Sequence, residues 1–175
     1  PELTKKLGIL GKRFGIAGLQ DIIVEAGIVA VGSINGVLSG KHYNRAMRVH
    51  KLVYEVLERL RFKAFMDSLS KEDEECVTSM IQKHQDRFDS KTDFADVLRS
   101  EYMNELSLKY DLFITYESEN RPTFALWSSY LSMVGNLLSF LRATRTSDWL
   151  LHLDAVRLMI PWFFVYDRIN YARYV

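Results

Sequence analysis

Glycine is distributed very unevenly along this chain. Eight of the nine glycines lie within residues 1–40, and only Gly135 follows. Because glycine weakens a helix interior and favours turns, the first forty residues are predicted to form short helices broken by turns. We predict these helices near residues 3–14, 19–26 and 33–39, with Ser33 as an N-cap. The chain after residue 40 is then free to form long helices.

Apolar residues in the segment 42–69 recur at the 3.6-residue spacing of one helix face. They are Ala46, Met47, Val49, Val53, Tyr54, Val56, Leu57 and Leu60. No segment of the chain alternates with the period of two that a strand requires. The sequence therefore predicts an all-α fold of about six to eight helices, forming a single helical domain over residues 1–175.

Capping and turn residues predict where the later helices begin and end. Ser70 with Asp73 three residues later resembles a capping box, and the acids that follow suit the positive end of a helix dipole. Further helices are predicted from about 93 to 116 and from 123 to 144, with a loop at 118–122. Ser147 or Asp148 should cap the last helix, which is expected to be kinked or broken at Pro161.

Composition limits the class of protein. Nearly half of the residues are hydrophobic, which excludes a disordered chain, and no uninterrupted apolar run is long enough to span a bilayer. The lone Cys76 excludes an internal disulfide and favours a reducing compartment. Because the sequence begins with Pro1 rather than Met, we expect it to be a piece of a longer protein, with the remainder of that chain as a partner.

The strongest charge feature is a basic block, KHYNRAMRVHK, at residues 41–51. No carboxylate occurs between Glu25 and Glu55, so the block has no acid beside it in sequence. Cations at a helix start oppose the helix dipole, which indicates that the charge has a use. Such a stripe suits phosphate groups. The predicted nucleic-acid-binding residues are Lys41, His42, Arg45, Arg48 and Lys51.

An alternative explanation for the basic block remains open. Although the formal net charge is only +1, residues 41–65 sum to +5 and residues 66–121 to −7. The stripe could therefore pair with the acidic block inside the fold. Charge alone does not choose between this structural use and a nucleic-acid partner.

Other chemistry-bearing residues favour structural explanations. The glycine-rich start, GILGKRFGIAG, matches no phosphate-binding loop, so turns and close helix packing are expected there. His84 with the acids of residues 86–96 matches no calcium loop. Glu25 lies in an apolar run and is expected to be buried and paired, with an arginine as one partner. No catalytic residue, metal ligand or cofactor is predicted, and Cys76 lacks a neighbouring base.

The segment 166–175, YDRINYARYV, mixes aromatic residues with charged and amide side chains. Tyr166, Asn170 and Arg173 would share one helical face. Because buried amide and guanidinium groups need partners, an internal hydrogen-bond network is favoured here over contact with a substrate.

Several of these stretches together resemble a known group of proteins. The motifs are G-L-x-D and V-E-x-G at 18–27, K-x-Y-N-R at 41–45, W-x-L-H-L at 149–153 and Y-D-x-x-N-Y-A-R at 166–173. They resemble a large, multi-copy group of transposon-derived, transposase-like animal proteins. The resemblance covers nearly the whole chain except residues 62–120. If those relatives are transposases with an RNase H-like core, this chain is a helical part of one, and some of its catalytic acids lie elsewhere.

The resemblance and the basic block together predict a function. We expect a helical DNA-binding and scaffolding part of a transposase-like protein that is intracellular and nuclear, with DNA as its partner and no membrane contact. This part is expected not to be catalytic itself, although the parent could be an enzyme. The alternative is a protein-interaction or dimerisation module, acting as a homo-oligomer without nucleic acid.

Overall fold

Helices make up all the regular structure of residues 2–85 and 101–166, the part of the chain that the computed structural model describes. The chain is kinked within Gly15–Leu19, where Gly18 has a left-handed φ of +112°, between the first two helices, and a 3-10 turn, Val31–Ser33, precedes the third. The all-α prediction is confirmed. The helices are α1 Glu2–Phe14, α2 Gln20–Glu25, α3 Ile34–Leu38, α4 Tyr43–Ser68, α5 Lys71–Gln85, α6 Glu101–Asn120, α7 Pro122–Thr146 and α8 Trp149–Val165.

The N-terminal glycines permit close approach of backbones, as predicted. A Cβ on Gly11 of α1 would stand 1.9 Å from the carbonyl oxygen of Leu38 at the end of α3. Gly40 has a φ of +74°, and a Cβ there would stand 2.6 Å from the carbonyl oxygen of Thr4. Only glycine fits both positions, the first for space and the second also for its left-handed backbone. The helix α1 and the turn after α3 are thereby packed backbone to backbone.

Two of the predicted helix starts are capped as expected. The Ser70 hydroxyl accepts a hydrogen bond from the Asp73 amide at 3.2 Å and donates to the Asp73 carboxylate at 2.9 Å. The Asp148 carboxylate accepts from the Leu151 amide at 3.0 Å and caps α8. Ser33 precedes α3 without a side-chain cap bond.

One prediction made from proline is wrong, and of the two outcomes expected at Pro161, a kink or a break, the break does not occur. The loop expected at 118–122 is helical up to Asn120, and Pro122 itself begins α7. Proline restricts only the residue before it and suits a first helical position, so Arg121 alone separates the two helices. The last helix is not broken at Pro161 but continues to Val165. Buried Met159 and Phe163, on either side of Pro161, hold the helix in the core.

Residues 2–57 and 127–166 belong to one compact unit, which we call unit 1. Its core is formed by α1, α2, α3, the first half of α4 and most of α7 and α8. Phe14 and Tyr130 lie at its centre, with ring centroids 5.1 Å apart and nearly perpendicular ring planes. A second cluster comprises Ile9, Phe140, Ala155, Met159 and Phe163. The start of α4 is fixed against this core through Ala46, Val49, His50 and Val53.

Residues 58–126 belong to the other compact unit, unit 2. Its described centre is aromatic: the ring of buried Phe65 on α4 lies 5.0 Å from Tyr110 and 5.6 Å from Phe113 on α6. Phe113 in turn meets Phe124 edge to face at 5.8 Å. The sequence predicted a single domain over residues 1–175. That remains a prediction, and the structure divides the chain into two compact units.

One described helix, α7, is long and apolar enough to cross a membrane by length and composition. Uninterrupted apolar runs did not reveal it, because serine, glycine and asparagine divide its apolar residues in the sequence. A core helix of a soluble protein passes the same test, so this finding is weak evidence. In this structure α7 contributes six buried residues to unit 1, namely Tyr130, Leu131, Val134, Leu137, Phe140 and Ala143.

Candidate nucleic-acid interface

The turn between α3 and α4 places the first residues of the basic block. The amide of Gly40 donates to the carbonyl of Val37 at 3.0 Å, and the amide of His42 donates to the carbonyl of Gly36 at 3.2 Å. These bonds close the turn, and the left-handed Gly40 then directs the chain away from α3. Hydrogen bonds of the two neighbouring residues, Gly40 and His42, therefore fix the backbone on both sides of Lys41.

Arg45, Arg48 and Lys51 lie on the exposed side of α4, and Lys41 and His42 lie in the turn before it. Lys41, His42, Arg45, Arg48 and Lys51 are all exposed. The buried residues of the same turns face the core of unit 1, so the two sets separate as the 3.6-residue period requires. All five predicted residues are thus accessible to solvent, and we call them the basic stripe.

The cations of the basic stripe are unpaired within their own unit. No ion pair joins a described residue of unit 1 to any of the four cations, which are Lys41, Arg45, Arg48 and Lys51. The first helical hydrogen bond of α4 runs from the Ala46 amide to the His42 carbonyl at 2.8 Å. The amides before it point outward from the helix start and add positive potential there. The site is therefore positively charged and accessible.

His42 differs from the other members of the stripe because its ring packs against the backbone. A Cβ on Gly36 would stand 2.4 Å from His42 Cδ2, so the imidazole occupies the space that the glycine leaves. Although His42 is exposed, this contact limits its reach. The long Lys and Arg side chains of the basic stripe, which are unpaired within unit 1, are therefore the main candidates for contact with phosphate groups.

A second histidine of the basic block, His50, is fully buried. Its Nδ1 lies 2.9 Å from the Tyr130 hydroxyl oxygen on α7, and no described group pairs with its Nε2. Burial lowers the pKa of His50 to about 4 and raises the pKa of Tyr130. His50 is therefore neutral at pH 7 and adds no charge to the stripe. Its contact with Tyr130 anchors α4 beneath the stripe.

Unit 1 also holds two cations against aromatic rings. The Lys6 ammonium lies 4.2 Å from the centroid of the Phe140 ring and contacts the Met159 sulfur. The Arg13 guanidinium lies 4.9 Å from the ring centroid of Trp162. Both cations therefore contact aromatic rings of unit 1.

A small cavity in unit 1 lies beside Lys6. It measures about 20 Å³, and its lining is mainly apolar side chains of α1, α7 and α8. Asn136 also lines it, and the buried carbonyl oxygen of that side chain has no partner among the described residues. A volume of this size accommodates one water molecule, which would satisfy the amide.

The other predicted features have structural outcomes. Glu25 is exposed at the end of α2, so the expectation that it is buried was wrong. Only Ile23 of that short helix faces the core, and Glu25 lies on its outer side. Cys76 is exposed. Among the side chains that the structure describes, no three His, Cys, Asp or Glu residues are grouped to hold a metal ion.

Two sequence hypotheses fall outside the described residues. The metal-type ligands near His84 include residues 86–96, and the proposed network of the C-terminal segment involves residues 167–175. Tyr166, the one described member of that network, packs against the second core cluster of unit 1.

The acids at the start of α5 are explained by their helix. Glu72, Asp73 and Glu74 lie in its first turn. Hydrogen bonds from Lys109 and then Ser70, opposed by desolvation, hold the pKa of Asp73 below its usual value. Lys109 on α6 lies 2.7 Å from Asp73 and 3.3 Å from Glu105. These acids thus have a structural role within unit 2.

Comparison with known proteins assigns the chain to one family. The chain belongs to the family described as "Domain of unknown function (DUF8702)", which matches residues 5–175. No curated protein and no solved structure matches it.

Proposed function

We propose that this member of the DUF8702 family is a helical DNA-binding and scaffolding part of a transposon-derived, transposase-like protein that acts in the nucleus. The observation that carries the proposal is the basic stripe: its four Lys and Arg side chains are exposed and unpaired within unit 1. The resemblance of the flanking motifs to transposase-like proteins supports the same proposal. Chemistry on DNA would belong to other parts of the parent chain.

The proposed contact is with the phosphate backbone. Arg45 and Lys51 are separated by six residues of helix, or about 9 Å, which corresponds to two or three nucleotides of one strand. Guanidinium groups bind phosphate in a bidentate manner, whereas the ammonium groups act as point charges. Because neither kind of contact reads the bases, binding should be largely independent of sequence.

Salt dependence tests this proposal most directly. Each phosphate that the protein neutralises releases condensed counterion, so affinity falls steeply as salt rises. Replacing Arg45→Ala together with Arg48→Ala should lower the slope of log affinity against log salt by about two. The measurement is fluorescence anisotropy of a short labelled duplex over a range of salt concentrations.

The same unit offers a matched control. Arg142 and Arg145 are exposed near the end of α7, so replacing both with alanine removes the same charge elsewhere. The control should keep the wild-type slope. If the Arg45/Arg48 variant keeps its DNA affinity and melts at a lower temperature, the stripe pairs with acidic groups of the fold, and the DNA proposal is wrong.

A second candidate function is a protein-interaction module. The outward face of α8 favours it, because Leu150 is 74% exposed and Leu158 is 63% exposed. Large apolar side chains that are exposed on one face of a helix are typical of a surface that contacts another protein.

A further inference from the structure

The helix α8 divides into a buried and an outward face. Ala155, Met159 and Phe163 face the core of unit 1. On the other side, Leu150, Leu158, Phe164 and Val165 are each more than half exposed. Several large apolar side chains exposed on one side of a helix are a feature of interaction sites more than of monomer surfaces. We call this side the outer face of α8.

A line of exposed residues runs along the outer face of α8 and defines the seam that a pairing helix would cover. Leu150, Asp154, Arg157 and Pro161 follow one another at intervals of four, three and four residues, and Phe164 comes three residues later. All of them are exposed. Alternating steps of three and four residues place side chains along the line where two helices meet.

Two opposite charges occupy the centre of this seam. A carboxylate oxygen of Asp154 lies 3.6 Å from a guanidinium nitrogen of Arg157, and both side chains are about seventy per cent exposed (67% and 74%). An exposed pair within one helix contributes little stability. A partner that covered it without opposite charges would bury the two groups at a cost.

A second copy of the same face meets this requirement. When two α8 helices pair antiparallel about a two-fold axis between residues 155 and 156, Asp154 of each copy stands opposite Arg157 of the other. Leu150 then stands opposite Pro161 at both ends of the seam. A two-fold interface must be complementary to itself. This arrangement of charges meets that condition, because each acid stands opposite a base.

We propose that the outer face of α8 pairs with the same face of a second copy of this chain, antiparallel and with two-fold symmetry. The inference uses α8 alone, so it does not depend on the DNA-binding proposal. It gives the interaction module a specific partner and geometry. A dimer of this kind would carry two basic stripes, and two linked sites bind a long duplex more tightly than one.

Charge reversal tests the proposed pairing on the full 175-residue chain. Wild type should be dimeric by analytical ultracentrifugation in the absence of DNA. Asp154→Arg places two arginines opposite each other, and Arg157→Asp places two carboxylates opposite each other. Each single variant should raise the dimer dissociation constant by about tenfold or more, because like charges across an interface repel.

Mixing the two variants makes the test specific. One chain then carries two arginines and the other two aspartates, so every contact across the seam is again between opposite charges. The equimolar mixture should return to a dimer, although neither variant dimerises well alone. Asp21→Arg, an exposed charge reversal on α2 of the same unit, serves as a control and should leave the dimer unchanged.

Three results would overturn the proposal. They are a monomeric wild type at roughly 100 µM, single variants that remain as dimeric as wild type, and a mixture that stays monomeric. A monomeric wild type that floats with phosphatidylcholine vesicles would assign the face to a membrane instead. Circular dichroism of each variant verifies that helix content is retained, which is expected because both side chains are exposed.

Discussion

Unit 1 and unit 2 are stabilised in different ways. Unit 1 depends on fit: the Gly11 backbone lies directly against the backbone of Leu38, and His50 bonds to Tyr130 inside the core. Unit 2, as described, depends on aromatic rings around Phe65 and on exposed ion pairs such as Lys109 with Asp73. The contrast indicates that unit 1 should tolerate little added volume, whereas unit 2 should be most sensitive to loss of a ring.

The largest effect is expected in unit 2. Phe65 is 1% exposed and has three aromatic neighbours, so Phe65→Ala should lower the free energy of unfolding by about 4 kcal/mol. Phe62→Ala, at a site that is 38% exposed, is the control and should cost clearly less. Hydrogen exchange should show lost protection in α6 while α1 stays protected. Equal loss in both helices would contradict separate behaviour of the units.

In unit 1 the corresponding change adds a single carbon. Gly11→Ala forces a Cβ against the Leu38 carbonyl and should lower the free energy of unfolding by about 3 kcal/mol. Gly32→Ala is the matched control, since nothing lies within 4 Å of its Cβ position. Urea unfolding measures both. A Gly11→Ala variant as stable as the control would show that fit is not what holds α1 to α3.

The buried histidine makes stability depend on pH. The pKa of His50 is about 4 in the folded protein and 6.5 unfolded, so its contribution is complete above pH 6.5. As pH falls from 6.5 towards 4, the unfolded state gains a proton that the folded state refuses. At pH 5 the loss should be about 2 kcal/mol. Comparing urea unfolding at pH 7 and pH 5 measures it.

Two variants separate His50 from other titrating groups. His50→Gln should weaken the dependence on pH between 7 and 5, whatever its own stability. Gly32→Ala, which removes no titrating group, is the control and should leave that dependence as in wild type. If both variants titrate alike, the buried pair is not the source of the effect.

The smallest effect is expected at the exposed pair of unit 2. Lys109→Ala should raise the pKa of Asp73 towards its usual value, because the hydrogen bond from Lys109 is the main cause of its lowering. Both groups are solvent-exposed, so the melting temperature should change little. A carboxyl titration by nuclear magnetic resonance measures the pKa shift. A large fall in melting temperature would mean that ion pairs stabilise unit 2 more than the rings do.

Much of the fold followed from the sequence. The 3.6-residue pattern after residue 40 located α4 within one residue at each end, and Ser70 and Asp148 capped the helices expected of them. The effects of the prolines on the helices could not be predicted from the sequence in the same way. Proline acts on its immediate neighbours, and whether a helix continues beyond it depends on packing that only the folded chain shows, as at Pro161.

The candidate site was predicted in part. The members of the basic stripe were identified because cations without neighbouring acids stand out in a sequence, and all of them are exposed. His50 was not recognised, since a histidine among cations suggests a surface residue. Its position one turn after Ala46 and three residues before Val53 was the available signal. The prediction for Glu25 was wrong for the opposite reason. Its apolar neighbours in the sequence indicated that it is buried, but α2 is short and half-exposed, and Glu25 lies on its exposed side.

Unit 1 is built from two stretches of chain that flank unit 2 in the sequence, and this order has a consequence during synthesis on the ribosome. His50 and Tyr130 are 80 residues apart, and unit 2 occupies residues 58–126 between them. At roughly 5–20 residues per second, synthesis of those 80 residues takes about 4–16 s. Throughout it, Phe14 and His50 lack the α7 residues that cover them in the finished fold. The apolar side chains of the first part of unit 1 thus stay uncovered until α7 emerges.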